Sequence, residues 1–322
     1  MKDKEHEGQE KVQEFINSFL KTNAEYLPDD VLEVRLKKAS KKIIFFKIMR
    51  VPSVIAWAAS FVLGSIFIAY WAGLIFAFLF FAVFAFFSFK IQLSKTEKKQ
   101  LISTNIVSSA IADEFETLKY DALKCIDKSE IKAAALIKNW NTCSGSDFVS
   151  GKYKGIPFTF SDIELEHVSK NSKKESRQTK FKGQWLICEH NKTFNTPLRL
   201  LERSVEGLGK KSDVETENQA FNNKYRISTS DSHIAFYILT PHFMEYIINM
   251  DNEAKARTYL CFMDNKVHIA LYNKRDLFEV DNRKRVGGIN VTQLREQVKQ
   301  EVIYIKAVID ELLLNKYLFG KE

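Results

Sequence analysis

Between Arg50 and Lys90 lie 39 residues, 51–89, without a single charge, and they hold ten of the chain's 26 Phe. As one helix this run would be about 58 Å long at 1.5 Å per residue. The hydrocarbon core of a bilayer is roughly 30 Å thick. One span leaves half the run unused; two spans fit it. The break is expected at Tyr70-Trp71-Ala72-Gly73, where Gly73 permits a tight turn and the aromatic pair suits a membrane–water interface. The first span is read as 51–69, with Pro52 in its first turn, and the second as 74–91. Basic residues crowd both outer flanks, Arg35 to Arg50 before the run and Lys90 to Lys99 after it, whereas the turn carries no charge. The preference of Lys and Arg for the cytoplasmic side therefore places both ends there. The expectation is a multi-pass protein of the inner, cytoplasmic membrane. Within 51–89 the spans hold no Asp, Glu, Lys, Arg or His, and Ser53, Ser60, Ser65 and Ser88 are their only hydroxyls. That argues for an anchor rather than a pump or proton path.

The remainder looks like an ordinary folded chain. Forty-eight Lys+Arg against 40 Asp+Glu give a net charge of +8, and 45% apolar residues exclude collagen, low-complexity disorder and a disulfide scaffold. Residues 1–50 read as two cytosolic helices. Val12, Phe15, Ile16, Phe19 and Leu20 form one apolar face, and Leu27-Pro28-Asp29-Asp30 separates it from the next helix. Near its membrane end, Lys41, Lys42 and Lys47 interleave with apolar residues, a pattern suited to the headgroup region. Residues 92–146 read as a helical connector. Its face runs through Ile102, Ile106, Ala110, Ile111, Phe115, Leu118 and Ala122, and a short helix follows at 129–138.

From Asp147 the pattern is strand-like, and 147–322 reads as an α+β cytosolic domain with a mainly antiparallel sheet. Phe158 and Phe160 alternate with polar residues; then Ile163 and Leu165 take the opposite parity. A bulge or bend is expected at Ser161-Asp162. Further strands are expected at 180–190, 198–201 and 225–228. Residues 258–272 read as a hairpin turning at Asp264-Asn265. Thr240-Pro241 opens a helix, and Asn290 caps the last one, whose apolar face begins at Val291 and Leu294.

Several ordered motifs resemble one family. They are Asp147-Phe148-Val149-Ser150-Gly151, Phe158-Thr159-Phe160-Ser161-Asp162, Phe181-Lys182-Gly183, the stretch from Ala235 to Met244, Asp264-Asn265-Lys266-Val267-His268-Ile269-Ala270 and Asp276-Leu277-Phe278-Glu279. Together they are similar to the bacterial DUF3137 family of uncharacterised membrane-associated proteins. The resemblance covers about residues 95–285 and implies a bacterial source and a cytosolic domain behind a membrane hairpin. It implies no activity and carries no functional residue over.

Candidate chemistry is sparse. Asp162, Glu164 and Glu166 share one face of a strand while His167 points away, a pattern of a solvated face more than of a cation site. The six His (His6, His167, His190, His233, His242 and His268) lack H-E-x-x-H spacing, and Cys125, Cys143, Cys188 and Cys261 form no C-x-x-C pair. Gly207 to Ser212 is not a P-loop, no G-x-S-x-G elbow occurs, and Gly287-Gly288 reads as a turn. No catalytic, cofactor-binding or metal residue is assigned, and no cofactor is expected. Three basic loops remain: Lys170, Lys173, Lys174, Arg177 and Lys180; Lys210 and Lys211; and Arg283, Lys284 and Arg285. They read first as ordinary solvated loops; as a contact surface they suit anionic lipid better than nucleic acid, since no aromatic residues interleave with them. The expected function is a non-enzymatic, membrane-tethered binding or scaffold protein. Its partners are the lipid bilayer and a protein that the residues do not identify. The alternative is a membrane-anchored hydrolase or metal-dependent enzyme drawing carboxylates from Asp162, Glu164 and Asp276.

Overall fold

The computed structural model describes residues 26–66, 70–171, 174–203, 211–279 and 290–319. The expected helix over Val12–Leu20, His6, most of the second and all of the third basic loop, Lys173 and Gly287-Gly288 lie outside them. Two compact units are present: residues 1–107 with 280–295, and residues 108–279 with 296–322.

The first unit is a helical hairpin. Helix α1 spans Asp29–Ile66 and α2 spans Tyr70–Ile102. Leu32, Leu36, Ala39 and Ile43 recur at spacings of three and four and are the buried stripe of α1. Asp29 and Asp30 occupy its first turn, where negative charge offsets the helix dipole. Asp29 also accepts from Arg295 at 2.7 Å. The pairs Lys42–Glu97, Phe46–Phe87 and Arg50–Phe84 run in opposite directions along the chain, so the two helices are antiparallel. The sequence reading expected Pro52 in the first turn of a helix, and this is corrected. Pro52 lies inside α1, which continues unbroken from the basic segment into the uncharged run. The two helices pair as a hairpin, but the turn expected at Tyr70-Trp71-Ala72-Gly73 is corrected: these four are the first helical residues of α2. Among the described residues one helix, Ile75–Ala112, is long and apolar enough to cross a membrane. It includes a π-helical turn at Ser103–Val107 and α3 at Ser108–Ala112. Within that turn the Asn105 side chain accepts from Leu27 N at 2.7 Å and donates to Leu101 O at 2.9 Å.

The second unit is an α+β fold around a six-stranded antiparallel sheet: β1 Glu116–Asp121, β2 Thr142–Tyr153, β3 Ile156–Asn171, β4 Lys174–Glu202, β5 Tyr225–Ser228 and β6 Arg257–Tyr272. The 29-residue β4 organises it. One edge of β4 pairs first with β3 and later with β5, and the other edge pairs with β6 from Gly183 to Leu201. Short helices α4 Lys128–Ala134, α5 Gln219–Lys224 and α6 Ser232–Ile238 connect the strands, followed by α7 Pro241–Ala254. Helix α8 Val291–Leu313 and the turn α9 Lys316–Phe319 close the chain. Thr240 caps α7 by accepting from Phe243 N at 3.3 Å, and Asn290 caps α8 by accepting from Gln293 N at 3.1 Å.

Four expectations are corrected. The connector at 92–146 is not helical throughout, because Leu118 sits in β1 and β2 begins at Thr142. Residues 180–190 and 198–201 are one strand. Residues 258–272 are also one strand rather than a hairpin: both ends pair with β4, and the positive φ of Asp264 serves an irregularity opposite Phe194. Finally, β3 does not slip at Ser161. It pairs with β4 in a single register from Phe158–Cys188 to Leu165–Phe181. The parity changes because both faces are buried. Phe158 and Phe160 face one layer, and Ile163 and Leu165 face a cluster with Phe181, Trp185 and Ile131. A bulge does occur there, but on β2, where residues 147 and 148 stand opposite Ser161.

Candidate functional site

The β2 bulge puts Asp147 at φ +56°, a left-handed conformation that aspartate tolerates better than most residues. Its carboxylate is buried and accepts from Tyr120 Oη and Ser146 Oγ, both at 2.7 Å. On β3, Asp162 stands between Ser146 of β2 and Gln184 of β4. Two glycines allow the strands to come this close. A Cβ on Gly145 would meet Asp162 O at 2.2 Å, and one on Gly183 would meet Leu271 O at 2.0 Å. After β6 the chain turns back over Asp162. Lys274 N donates to Lys182 O, Asn273 Nδ2 donates to Gln184 Oε1 at 2.6 Å, and Gln184 Nε2 donates to Arg275 O. That turn delivers Asp276. The ligand-capable oxygens of Asp147, Asp162 and Asp276 lie within 4.8 Å of one another.

Hydrogen bonding to the three acids is uneven. Asp162 Oδ1 accepts from Gln184 Nε2 and Oδ2 from Leu277 N, each at 2.8 Å. Asp276 Oδ1 is buried and accepts no hydrogen bond. Burial, followed by the negative charges of Asp276 and Asp147, holds the Asp162 carboxyl well above the ordinary carboxylate range; the Gln184 bond opposes the shift only in part. Glu301 on α8 lies beside the cluster and is raised too, chiefly by burial, while it accepts from Phe278 N at 2.7 Å and from Gln297. Three carboxylates so close cannot all carry charge without a counterion. The arrangement holds either a proton on Asp162 or a hard cation such as Mg²⁺ or Ca²⁺, which would draw its further oxygen ligands from elsewhere.

The sequence reading had the acids of β3 on a solvated face. Asp162 is instead only 4% exposed, because α8 and the turn carrying Asp276 cover that face of the unit. Of the carboxylates weighed for an enzyme, Asp162 and Asp276 meet and Glu164 does not. Glu164 pairs with Lys182 at 2.9 Å, Glu166 with Arg177 at 3.4 Å, and His167 is exposed. Asp147 was overlooked. Its one local signal is an aspartate set among small, hydroxyl and apolar residues from Thr142 to Gly151.

The other singled-out residues are dispersed. His190 and His268 are buried, and burial lowers both, His268 to about 4. His233 and His242 are exposed. Cys188 and Cys261 are buried, whereas the Cys125 and Cys143 thiols, distant in sequence, meet in a mutual hydrogen bond. In the first basic loop, Arg177 is held by Glu175 at 2.8 Å and by Glu166, and Lys180 by Gln178 at 2.8 Å. A separate cleft of about 460 Å³ is lined by Glu202, Asp251, Lys255, Arg257 and Tyr272 among others.

A comparison with curated proteins finds no match. Among solved structures, the crystal structure of the mycobacterial trehalose monomycolate transport factor A, TtfA, is a distant neighbour. It shows 12% identity over 64% of this chain and 92% of that chain, with a TM-score of 0.31. Residues 179–314, from β4 through α8, match the family described as protein of unknown function (DUF3137), which is the family that the sequence motifs resemble.

Proposed function

We propose that the chain is an integral membrane protein that works by binding, as an anchored scaffold, and not by catalysis. Both spans of the hairpin cross the cytoplasmic membrane, both termini lie in the cytoplasm, and the α+β unit meets a protein partner there. The observation that supports this most is the surface of the hairpin. Ile55, Ile75, Phe76, Phe78, Leu79 and Phe81 are all more than half exposed along a run with no charge. Water does not tolerate a contiguous apolar face of that extent, whereas lipid requires one. Labelling with a membrane-impermeant thiol reagent in intact cells tests the topology. Cysteines placed at residues 28 and 316 should stay unlabelled and one at residue 71 should react; labelling at 28 or 316 rejects the arrangement.

A second reading, a membrane-anchored metal-dependent hydrolase, draws on the meeting of Asp162 and Asp276 with Asp147. It requires divalent-cation-dependent turnover in a broad hydrolase screen, lost in Asp162→Ala. The first reading is preferred because the acids are walled in by Gln184, Leu277 N and Tyr120.

A further inference from the structure

The pairing of α1 with α2 sets the level at which the hairpin leaves the bilayer, and that level differs from the one the charges alone indicate. The Arg50 guanidinium lies 5.6 Å from the Phe84 ring centroid, Phe46 lies 6.2 Å from Phe87, and Lys42 reaches Glu97 at 3.4 Å. On α2 the uncharged residues run helically from Tyr70 to Phe89, about 30 Å, which matches the hydrocarbon thickness. On α1 the described uncharged residues run helically from Val51 to Ile66, about 24 Å, so the level at this end is read from the register of the two helices. A flat boundary drawn at Phe89 and Lys90 of α2 crosses α1 near Ile43–Phe45, well before Val51. The side chains between agree with the lower boundary. Ile44, Phe45, Ile48 and Met49 are 56, 55, 63 and 40% exposed. Lys47 and Arg50 then lie inside the apolar band, where long stems let the charges snorkel outward, and Arg50 rests on the Phe84 ring.

Directly beyond that boundary, Val34, Lys37, Lys38, Lys41, Lys42 and Phe45 line an open cavity of about 500 Å³. Their spacing of three and four keeps them on one face of α1. Lys37 is paired with Glu33 and Lys42 with Glu97, whereas Lys38 and Lys41 have no acidic partner among the described residues. An apolar floor at Phe45 that opens onto four ammonium groups at headgroup depth is complementary to a lipid with an anionic head.

We propose that this lysine face of α1 holds the headgroup phosphate of an anionic phospholipid of the same bilayer, with an acyl chain lying along Ile44 and Ile48. The inference rests on the membrane-anchor reading and adds a binding site to it. It also moves the anionic-lipid contact from the basic loops to the helix.

The test uses the full chain with Cys125→Ser and Cys143→Ser, reconstituted in phosphatidylcholine vesicles with or without phosphatidylglycerol. A fluorophore is placed on single cysteines at positions 40–52 and, as a control, at position 78. Aqueous quencher should reach labels up to position 42 and lose access from position 44 onward. Brominated phosphatidylglycerol should quench a label at position 44 more strongly than brominated phosphatidylcholine does. That preference should fall with salt and drop about fivefold for each lysine removed in Lys38→Gln and Lys41→Gln. An accessibility boundary at position 51, equal quenching by the two lipids, or a preference unchanged in the double variant overturns the site while leaving the anchor intact. Absence of lipid quenching at position 78 overturns the anchor reading and the site together.

Discussion

The hairpin and the sheet unit treat apolar side chains in opposite ways. In the sheet unit Trp185, Phe181, Phe160, Phe243 and Phe262 are fully buried, and edge-to-face contacts such as Phe181–Trp185 at 5.7 Å and Phe243–Phe262 at 5.8 Å knit them together. In the hairpin Phe78 is 75% exposed and Ile75 66%. The presence of Phe does not by itself separate the two regions, since both contain it. The difference lies in what surrounds the helices. A β-sheet with both faces covered supplies its own apolar solvent. A two-helix hairpin has one narrow contact seam and leaves the rest of its circumference to the medium.

The contrast is broken most decisively by separating the regions. A chain of residues 94–322 should be soluble and unfold in one cooperative transition, while the full chain should aggregate without lipid or detergent. Calorimetry and light scattering on both check this, and an aggregated or non-cooperative short chain would show that the sheet unit depends on the hairpin. Next in size, Trp185→Ala in the short chain should cost about 3–5 kcal/mol by denaturant unfolding, because it empties the centre of a dry cluster. Phe78→Lys should do the reverse of what an exposed residue normally does. In water an exposed Phe→Lys change is close to neutral, but at the centre of a span it should disfavour insertion by about 2.5–3.5 kcal/mol, read as the glycosylated or protease-protected fraction in an insertion assay. Normal insertion of that variant would place Phe78 outside lipid.

The smallest effect concerns the acid cluster. The Asp162 pKa is raised in the folded state, so its contribution to stability is complete below the unfolded value near 4 and is lost as pH rises toward the folded value. Stability of the short chain should therefore fall with rising pH across that window. Asp276→Asn removes the first of the two charges acting on Asp162. It should flatten the fall and stabilise the chain at neutral pH, because one of the two charges that raise Asp162 is gone. A bound divalent cation would reverse the sign: Mg²⁺ or Ca²⁺ would then raise the melting temperature of the unmodified chain, and Asp276→Asn would be destabilising in its presence.

The comparison also separates what was legible in the chain from what was not. Residues 51–89 announce a helical hairpin through composition and length, and the caps at Thr240 and Asn290 and the strand at 225–228 follow from local chemistry, because each depends on residues only a few positions apart. Helix, cap and strand signals of this kind survive in any tertiary context. The fate of Asp264-Asn265 did not follow, because positive φ serves a hairpin turn and a strand irregularity equally well, and pairing with β4 selected the second. The parity change in β3 was visible, but its cause was a second covered face, which no single strand records. Asp162 and Asp276 were candidates from the sequence, but that they meet, and meet Asp147 rather than Glu164, was decided by tertiary structure. Asp147, Asp162 and Asp276 come together because a bulge, a cross-strand pair and a returning turn meet over Gln184, and only burial makes their mutual repulsion matter. The level of the bilayer boundary is of the same kind. Charge order along the chain would place it at Val51, and the register of two packed helices is the ground for proposing Phe45 instead.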